Sequence, residues 1–323
     1  MGKRHAVGLD LGGTDVKAAL VSEGGEILAR KACRTRLEGG AEAVLSDMAG
    51  LAEAVMAQAG VPAAAVAGVG IGSPGPLSPR RGTIIRAANL PPFENVPLRD
   101  EIGRRTGLPT VLANDGNAAA YGEFWVGAGR DVAHMVLLTL GTGVGAGVII
   151  EGRLLGGHFE NAAELGHTIV EVNGRPCSCG QRGCLEQYAS AGNVARRAVE
   201  AVREGAESVL SGVPGGPERL TSEDVVEAVR RGDALATGIW EDACRYLGMA
   251  CVNIERAFNP AVIALGGGMS AAGSLLVERV RRYRDSLRWS LLDDIAEIVP
   301  ARLGNDAGVM GAAGLLLHAV EEG

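Results

Sequence analysis

"AVGLDLGGTDVKAALVSEGGEILARKA", residues 6–32, contains three short apolar runs broken by glycine pairs. Such runs predict a strand, a tight glycine turn, and two further strands joined by a hairpin at Gly24 and Gly25. The expected product is a β-meander. Residues 135–155, "MVLLTLGTGVGAGVIIEGRLL", repeat the plan of strand, glycine turn and strand. Leu9 to Val21 aligns with Leu138 to Ile150, and each stretch runs on into a similar turn, "EGGEIL" or "EGRLL". Any two glycine-rich hairpins share some composition, but this pairing near half the chain length favours an internal duplication.

Between and beyond these stretches the pattern alternates. Apolar residues at helical spacing predict a helix from Ala41 to Ala59, followed by a buried strand in "VAGVGIGSPGP". A helix Leu98–Thr106 and a strand Pro109–Leu112 lead to "ANDGNAAAYGEF", in which Asn114 or Asp115 caps an alanine-rich helix. "GVPGGPERL" reads as an exposed loop, "TSEDVVEAVRRGDALA" as a capped helix, and "ERVRRYRDSLRW" as a solvated helix face.

The bulk numbers narrow the class. A chain of 323 residues with 47% apolar content can fill two cores. A formal charge of −7 opposes a polyanion-binding role, so no nucleic-acid partner is expected. No segment approaches the ~18 uninterrupted apolar residues of a membrane span, and "MGKRHAVGLDLGG" lacks an export signal. No membrane association is expected, and the expected compartment is the cytoplasm. Six cysteines there point to metal binding before disulfides.

Glycine turns of this kind let backbone N–H groups form an anion-binding concavity. A third glycine run, "AVIALGGGMSAAGSLL", follows a strand and opens a helix, as expected beside a nucleotide. No G-x-x-x-x-G-K-[ST] string is present. "GIGSPG" matches G-x-G-x-x-G, but Pro76 and Pro79 stand where a helix should begin. "GGGMSA" fits the G-x-G-x-x-A variant better and keeps a dinucleotide-binding dehydrogenase open, though no strand ending in an acidic residue follows at the required distance.

"DLGGTDVKAAL", "NDGNAAAYGE", "TLGTGVGAG", "ELGH", "CSCGQRGCLEQYAS" and "ALGGGMS", in this order, resemble the ROK family of sugar kinases and repressors, most closely its bacterial glucokinases. The resemblance implies an α/β, actin-like ATPase (ribonuclease H-like) fold of two duplicated domains around a nucleotide cleft. It places residues 1–122 and 306–323 in a small domain closed by the C-terminal helix. Residues 123–305 fall in a larger domain with a cysteine loop and a helical insertion. The implied reaction is transfer of a phosphoryl group from Mg-ATP to a hexose, foremost D-glucose. Fructokinase, N-acetylmannosamine kinase and polyphosphate-using relatives share the motifs. A repressor needs a DNA-binding domain ahead of "DLGGT", and only nine residues precede Asp10. Relatives are often homodimers or homotetramers, so a homo-oligomer is expected.

The same resemblance assigns roles. Asp115 corresponds to the catalytic base, a reading that competes with simple helix capping unless Asn114 is the cap. Asp10 would lie near Mg²⁺; Gly12, Gly13 and Thr14 would contact phosphates, with Thr142 and Gly143 doing so from the other domain. Gly267 and Gly268 would face the adenosine. The implied sugar ligands are Asn89, Asn114, Asp115, Glu164, His167 and Glu186. Two departures stand out: Asp15 stands where many relatives carry a longer, basic or amide side chain, and Ala163 where they commonly have glycine. Cys177, Cys179 and Cys184 have the close spacing of metal ligands. His167 completes a Cys₃His set suited to structural, tetrahedral Zn²⁺; the competing reading is three free thiols. Cys33, Cys244 and Cys251 sit among apolar residues and read as core.

Overall fold

The three amino-terminal runs form β1 (His5–Leu11), β2 (Asp15–Ser22) and β3 (Ile27–Arg34). The computed structural model describes residues 5–87, 89–291, 293 and 295–321, so residues 1–4 of the stretch read for an export signal lie outside it. β1 and β2 pair antiparallel with Asp10 opposite Lys17, and β2 and β3 with Leu20 opposite Ala29. The hairpin closes through Ser22 N–H to the Glu26 carbonyl, and its turn needs the left-handed φ of +79° at Gly25.

Helix α1 (Gly40–Ala59) buries Val44, Met48, Ala52 and Val55 on one stripe. Strand β4 (Val66–Ser73) is buried along its whole length, as suits a strand covered on both faces. No helix follows the "GIGSPG" loop; the chain instead makes a small sheet of β5 (Leu77–Ser78), β6 (Thr83–Arg86) and β7 (Glu94–Val96). Helix α2 (Leu98–Thr106) matches the expected bounds. Strand β8 (Thr110–Asn114) starts one residue later and ends two later than expected and leads directly into α3 (Asp115–Val126).

The second glycine hairpin supplies β9 (Met135–Leu140), β10 (Val144–Ile150) and β11 (Arg153–Leu154). Helices α4 (Glu186–Ala189), α5 (Ala191–Arg203), α6 (Ser222–Arg230) and α7 (Ala234–Phe258) follow. Residues 221–236, read as one capped helix, divide between two. Thr221 and Asp224 form the capping box of α6, then Gly232 turns the chain at φ +79° and Asp233 caps α7. Strand β12 (Val262–Gly266), α8 (Ser274–Leu287), β13 (Glu297–Pro300) and α9 (Ala307–Glu321) complete the order.

The two large sheets run β3-β2-β1-β4-β8 and β11-β10-β9-β12-β13. Each therefore places its glycine hairpin at the same position beside two parallel strands, the topology an internal duplication leaves. The chain divides into two units. The first takes the described residues through Ala133, residues 147–163, and the chain from Arg302 onward; the second takes residues 134–146 and 164–301.

In the first unit α9 lies against β1 and β4, and Val309, Met310, Ala313 and Leu316 pack with Ala6, Ala19 and Ala67. The approach is close enough that a Cβ at Gly70 would stand 1.7 Å from the Ala312 carbonyl oxygen. In the second unit α7 buries Trp240, Cys244, Leu247 and Cys251. Cys33 is half-buried against the first unit's core. The stretch 278–289 is not wholly solvated: Arg284 is buried and bonds Glu255 Oε1 at 2.6 Å and the Ala296 carbonyl at 2.9 Å.

Candidate active site

In the first unit, parallel strands β1, β4 and β8 bring two carboxylates to one edge of the sheet. Asp10 pairs with Gly72 and Ser73 with Asn114, so Asp10 and Asp115 both emerge at carboxyl ends of parallel strands. Asn114 is the helix cap: its Oδ1 accepts from the N–H groups of Gly116 at 2.9 Å and Asn117 at 3.3 Å. The Asp115 carboxylate therefore does not have to serve as the cap. It touches solvent, yet protein surrounds it closely enough that burial raises its pKa above the ordinary 3.8, against the lowering pull of its hydrogen bonds with Gly116 and Asn114. Asp10 is likewise raised, by burial first and by repulsion from Asp115, while Lys17 opposes the shift. Lys17 Nζ lies 4.0 Å from Asp10 Oδ2. This cation escaped the motif reading, although the β1–β2 register pairs the two residues and hairpin counting could have found it.

The first glycine turn is held by Gly12 N–H to the Asp15 carbonyl and by Thr35 Oγ1 to the Gly12 carbonyl at 2.7 Å. Asn89 lies beside it, for a Cβ on Gly13 would meet the Asn89 carbonyl oxygen at 3.1 Å. Thr14 completes the turn, and its carbonyl accepts from Thr35 N–H. Asp15 has Arg34 of the neighbouring strand 3.8 Å away, which offsets the extra negative charge beside the glycine turn.

In the second unit, the Gly141–Gly143 turn closes on itself through Gly141 N–H to the Gly143 carbonyl. Glu186 Oε2 accepts from Val144 N–H at 3.1 Å, and a Cβ on Gly143 would stand 2.3 Å from that same oxygen. Glu186, expected to bind sugar, thus also buttresses the turn containing Thr142 and Gly143. Gly267, at φ +79°, abuts the Leu140 backbone, where a side chain would not fit. The turn from Gly268 to Ala272 lines a cavity of about 320 Å³ together with Ser222, Val226 and Arg230 of α6. Glu164 immediately precedes a single 3-10 turn, Leu165–His167, which sets its spacing to His167.

That turn brings His167 to the cysteine loop. Ligand atoms of His167, Cys177, Cys179 and Cys184 all lie within 4.8 Å of one another. Cys179 and Cys184 sulfurs are 3.6 Å apart, and Cys177 Sγ is 3.7 Å from His167 Nδ1. Tetrahedral ligands about 2.3 Å from a common Zn²⁺ stand roughly 3.8 Å apart, so the donors and spacing fit that ion. Burial pushes the Cys179 thiol up, but hydrogen bonds from Gln181 and the adjacent thiols outweigh it and leave it low. Burial and the neighbouring sulfurs drive Cys184 the other way. Cys177 Sγ also reaches Glu186 Oε1 at 3.9 Å, so the cysteine loop, Glu186 and the second glycine turn form one connected group.

The chain is 39% identical to a glucokinase of Thermotoga maritima over 317 residues, 98% of each sequence. It is similar to the structure of a ROK family glucokinase from Streptomyces griseus in complex with glucose and AMPPNP, with a TM-score of 0.82 and 35% identity over 96% of this chain and 98% of that one. A ROK family transcriptional regulator, a homologue of the E. coli MLC protein, superposes with a TM-score of 0.84 at 30% identity, over 99% of this chain and 81% of the other. Residues 6–319 match the ROK family as a whole, and with the duplicated sheets and glycine turns in place the chain belongs to that family, with its actin-like ATPase fold.

Proposed function

We propose that the chain is a glucokinase, transferring the γ-phosphoryl group of ATP to the 6-hydroxyl of D-glucose. The observation that carries this reading is the Asn114–Asp115 pair: the amide takes over helix capping, and an adjacent carboxylate with a raised pKa remains able to accept a proton. The full-length similarity to glucokinases supports the substrate. A sugar hydroxyl attacks poorly until its proton is removed, and Asp115 is the base. Asn89, Asn114, Asp115, Glu164, His167 and Glu186 replace the water around the ring hydroxyls. The N–H groups of Gly13 and Gly143, with the Thr14 and Thr142 hydroxyls, cradle phosphates, Gly12 shaping the first turn through its N–H bond to the Asp15 carbonyl, while Gly267 and Gly268 take the adenosine.

Mg²⁺, bound with ATP, would supply charge neutralisation on the phosphates, and Asp10 would be the residue that holds it. Zn²⁺ would be held by His167, Cys177, Cys179 and Cys184, with no ligand position left for substrate, and so serve structure. Ligation through Nδ1 leaves His167 Nε2–H as a donor for a sugar hydroxyl, its ring orientation set by the cluster. Among the described residues no helix is long and apolar enough to cross a membrane. Light scattering tests the homodimer or homotetramer expected of the chain.

A coupled ADP-release assay over glucose, mannose, fructose and N-acetylmannosamine, with ATP and polyphosphate as donors, tests the function. The expected result is the highest kcat/KM with glucose and ATP. A preference for N-acetylmannosamine would move the assignment within the kinases, and sugar binding without turnover would favour a regulator.

A further inference from the structure

Residues 156–163, "GGHFENAA", connect β11 to Glu164 and His167 and contain three left-handed residues: Gly157 at φ +73°, Glu160 at +61° and Ala163 at +68°. Two of the three are not glycine, and L side chains disfavour that region. Local backbone bonds are few: Ala162 N–H to the Gly156 carbonyl at 3.1 Å, and a longer one from Glu160 to Gly157. Something outside the loop must hold it in this shape.

Glu160 supplies that hold. Its Oε2 accepts from Ser78 Oγ at 2.6 Å, and its Oε1 accepts from the Arg80 backbone N–H at 3.0 Å and from Arg80 Nε at 2.8 Å. Arg80 reaches back with its terminal nitrogen to the His158 carbonyl at 2.8 Å. An isolated surface ion pair contributes little, but here the carboxylate is only 15% exposed and takes three donors at once, one of them backbone. The bonds hold its charged form well, and the hydrogen bond from Ser78 is the largest influence lowering its pKa. Ser78 ends β5 and pairs with Thr83 of β6, and Arg80 lies in the turn between those two strands, so both partners are fixed by the hairpin.

Resting on the kinase reading above, we infer that Glu160 is a positioning residue: by clamping the strained 156–163 loop to Ser78 and Arg80 it fixes the entry to Glu164 and His167 and so sets sugar affinity. Ala163, at a position where the ROK resemblance leads one to expect glycine, holds φ +68° at the loop's last residue, and the Glu160 clamp is what allows a non-glycine residue there. Loss of the clamp frees the loop, and the sugar ligands behind it then pay an ordering cost on binding. ATP binding and the proton transfer at Asp115 do not pass through it.

The test combines steady-state kinetics with hydrogen exchange on the full chain. Glu160→Ala should raise KM for glucose roughly tenfold, as expected for a lost charged hydrogen-bond set, with kcat and KM for ATP changed by less than about twofold. Amide exchange across residues 157–167 should quicken in the same variant. Arg80→Met should act in the same direction, and the double variant should be no worse than Glu160→Ala alone. Should Glu160→Ala not fold, Glu160→Gln and Arg80→Met carry the same comparison. A wild type that phosphorylates no hexose defeats the kinase reading by itself, and exchange still decides whether Glu160 orders the loop. Unchanged exchange, or an active enzyme whose sugar KM ignores both sides of the clamp, overturns the inference.

Discussion

Asp115 shows how one residue's role depends on its neighbour. With Asn114 accepting two N–H groups at the start of α3, the carboxylate is left for chemistry, and replacing it with an amide keeps the shape while removing the proton acceptor. Asp115→Asn is expected to lower kcat by at least ~10²-fold with glucose affinity nearly unchanged, read by steady-state kinetics beside a calorimetric titration. A general base acts deprotonated, and burial raises the Asp115 pKa above 3.8. In the wild type kcat/KM should therefore fall as pH drops through a value above the ordinary 3.8 of an aspartate, and the residual rate of Asp115→Asn should lack that limb. Full turnover in a folded Asp115→Asn would remove the base assignment.

At the scale of elements, the loop 167–186 and the helix pair α7–α8 make separate predictions. Cys184 is fully buried among the other three candidate ligands, and Cys177 connects that group to Glu186 and thence to the second glycine turn. Cys184→Ser should remove about one zinc per chain by mass spectrometry of the metal and weaken glucose binding far more than binding of an ATP analogue. Wild-type protein prepared without chelator that binds glucose yet carries no zinc would refute this. In the helix pair, Arg284 and Glu255 are a buried ion pair, with the more exposed Arg256 only 3.6 Å from Glu255 Oε2, so removing Arg284 leaves the buried carboxylate poorly compensated. Arg284→Leu should cost about 3–5 kcal/mol in a denaturant titration, while the double change Arg284→Leu with Glu255→Met should recover most of it. A loss below about 1 kcal/mol for the single change would mean the carboxylate finds water.

For the molecule as a whole, the last helix completes the first unit from the far end of the chain. Helix α9 packs on β1 and β4 at backbone contact, with Gly70 facing Ala312. Gly70→Ala has no room, and the helix must lift from the sheet to admit one methyl group. A destabilisation of about 3 kcal/mol or more is expected from thermal and denaturant melts, with the first unit's peptides turning protease-sensitive before those of the second. A melt within error of the wild type would show that α9 is not a rigid part of that core.

Local chemistry is what the sequence by itself determined. The glycine turns, the meander, the bounds of α2 and the Asn114–Asp115 helix start follow from period and capping, which act over a few residues. The Cys-x-Cys-x₄-Cys spacing likewise put three candidate ligands in one loop. Tertiary structure decided what depends on residues far apart in the chain. The pairing of Asp15 with Arg34, the burial of Arg284 in a helix that reads as solvated, and the grip of Glu160 on Ser78 and Arg80 are set by which elements pack together. A charged side chain carries no mark of its partner, because a hydrogen bond across 82 residues exists only once folding has brought the two loops within 2.6 Å.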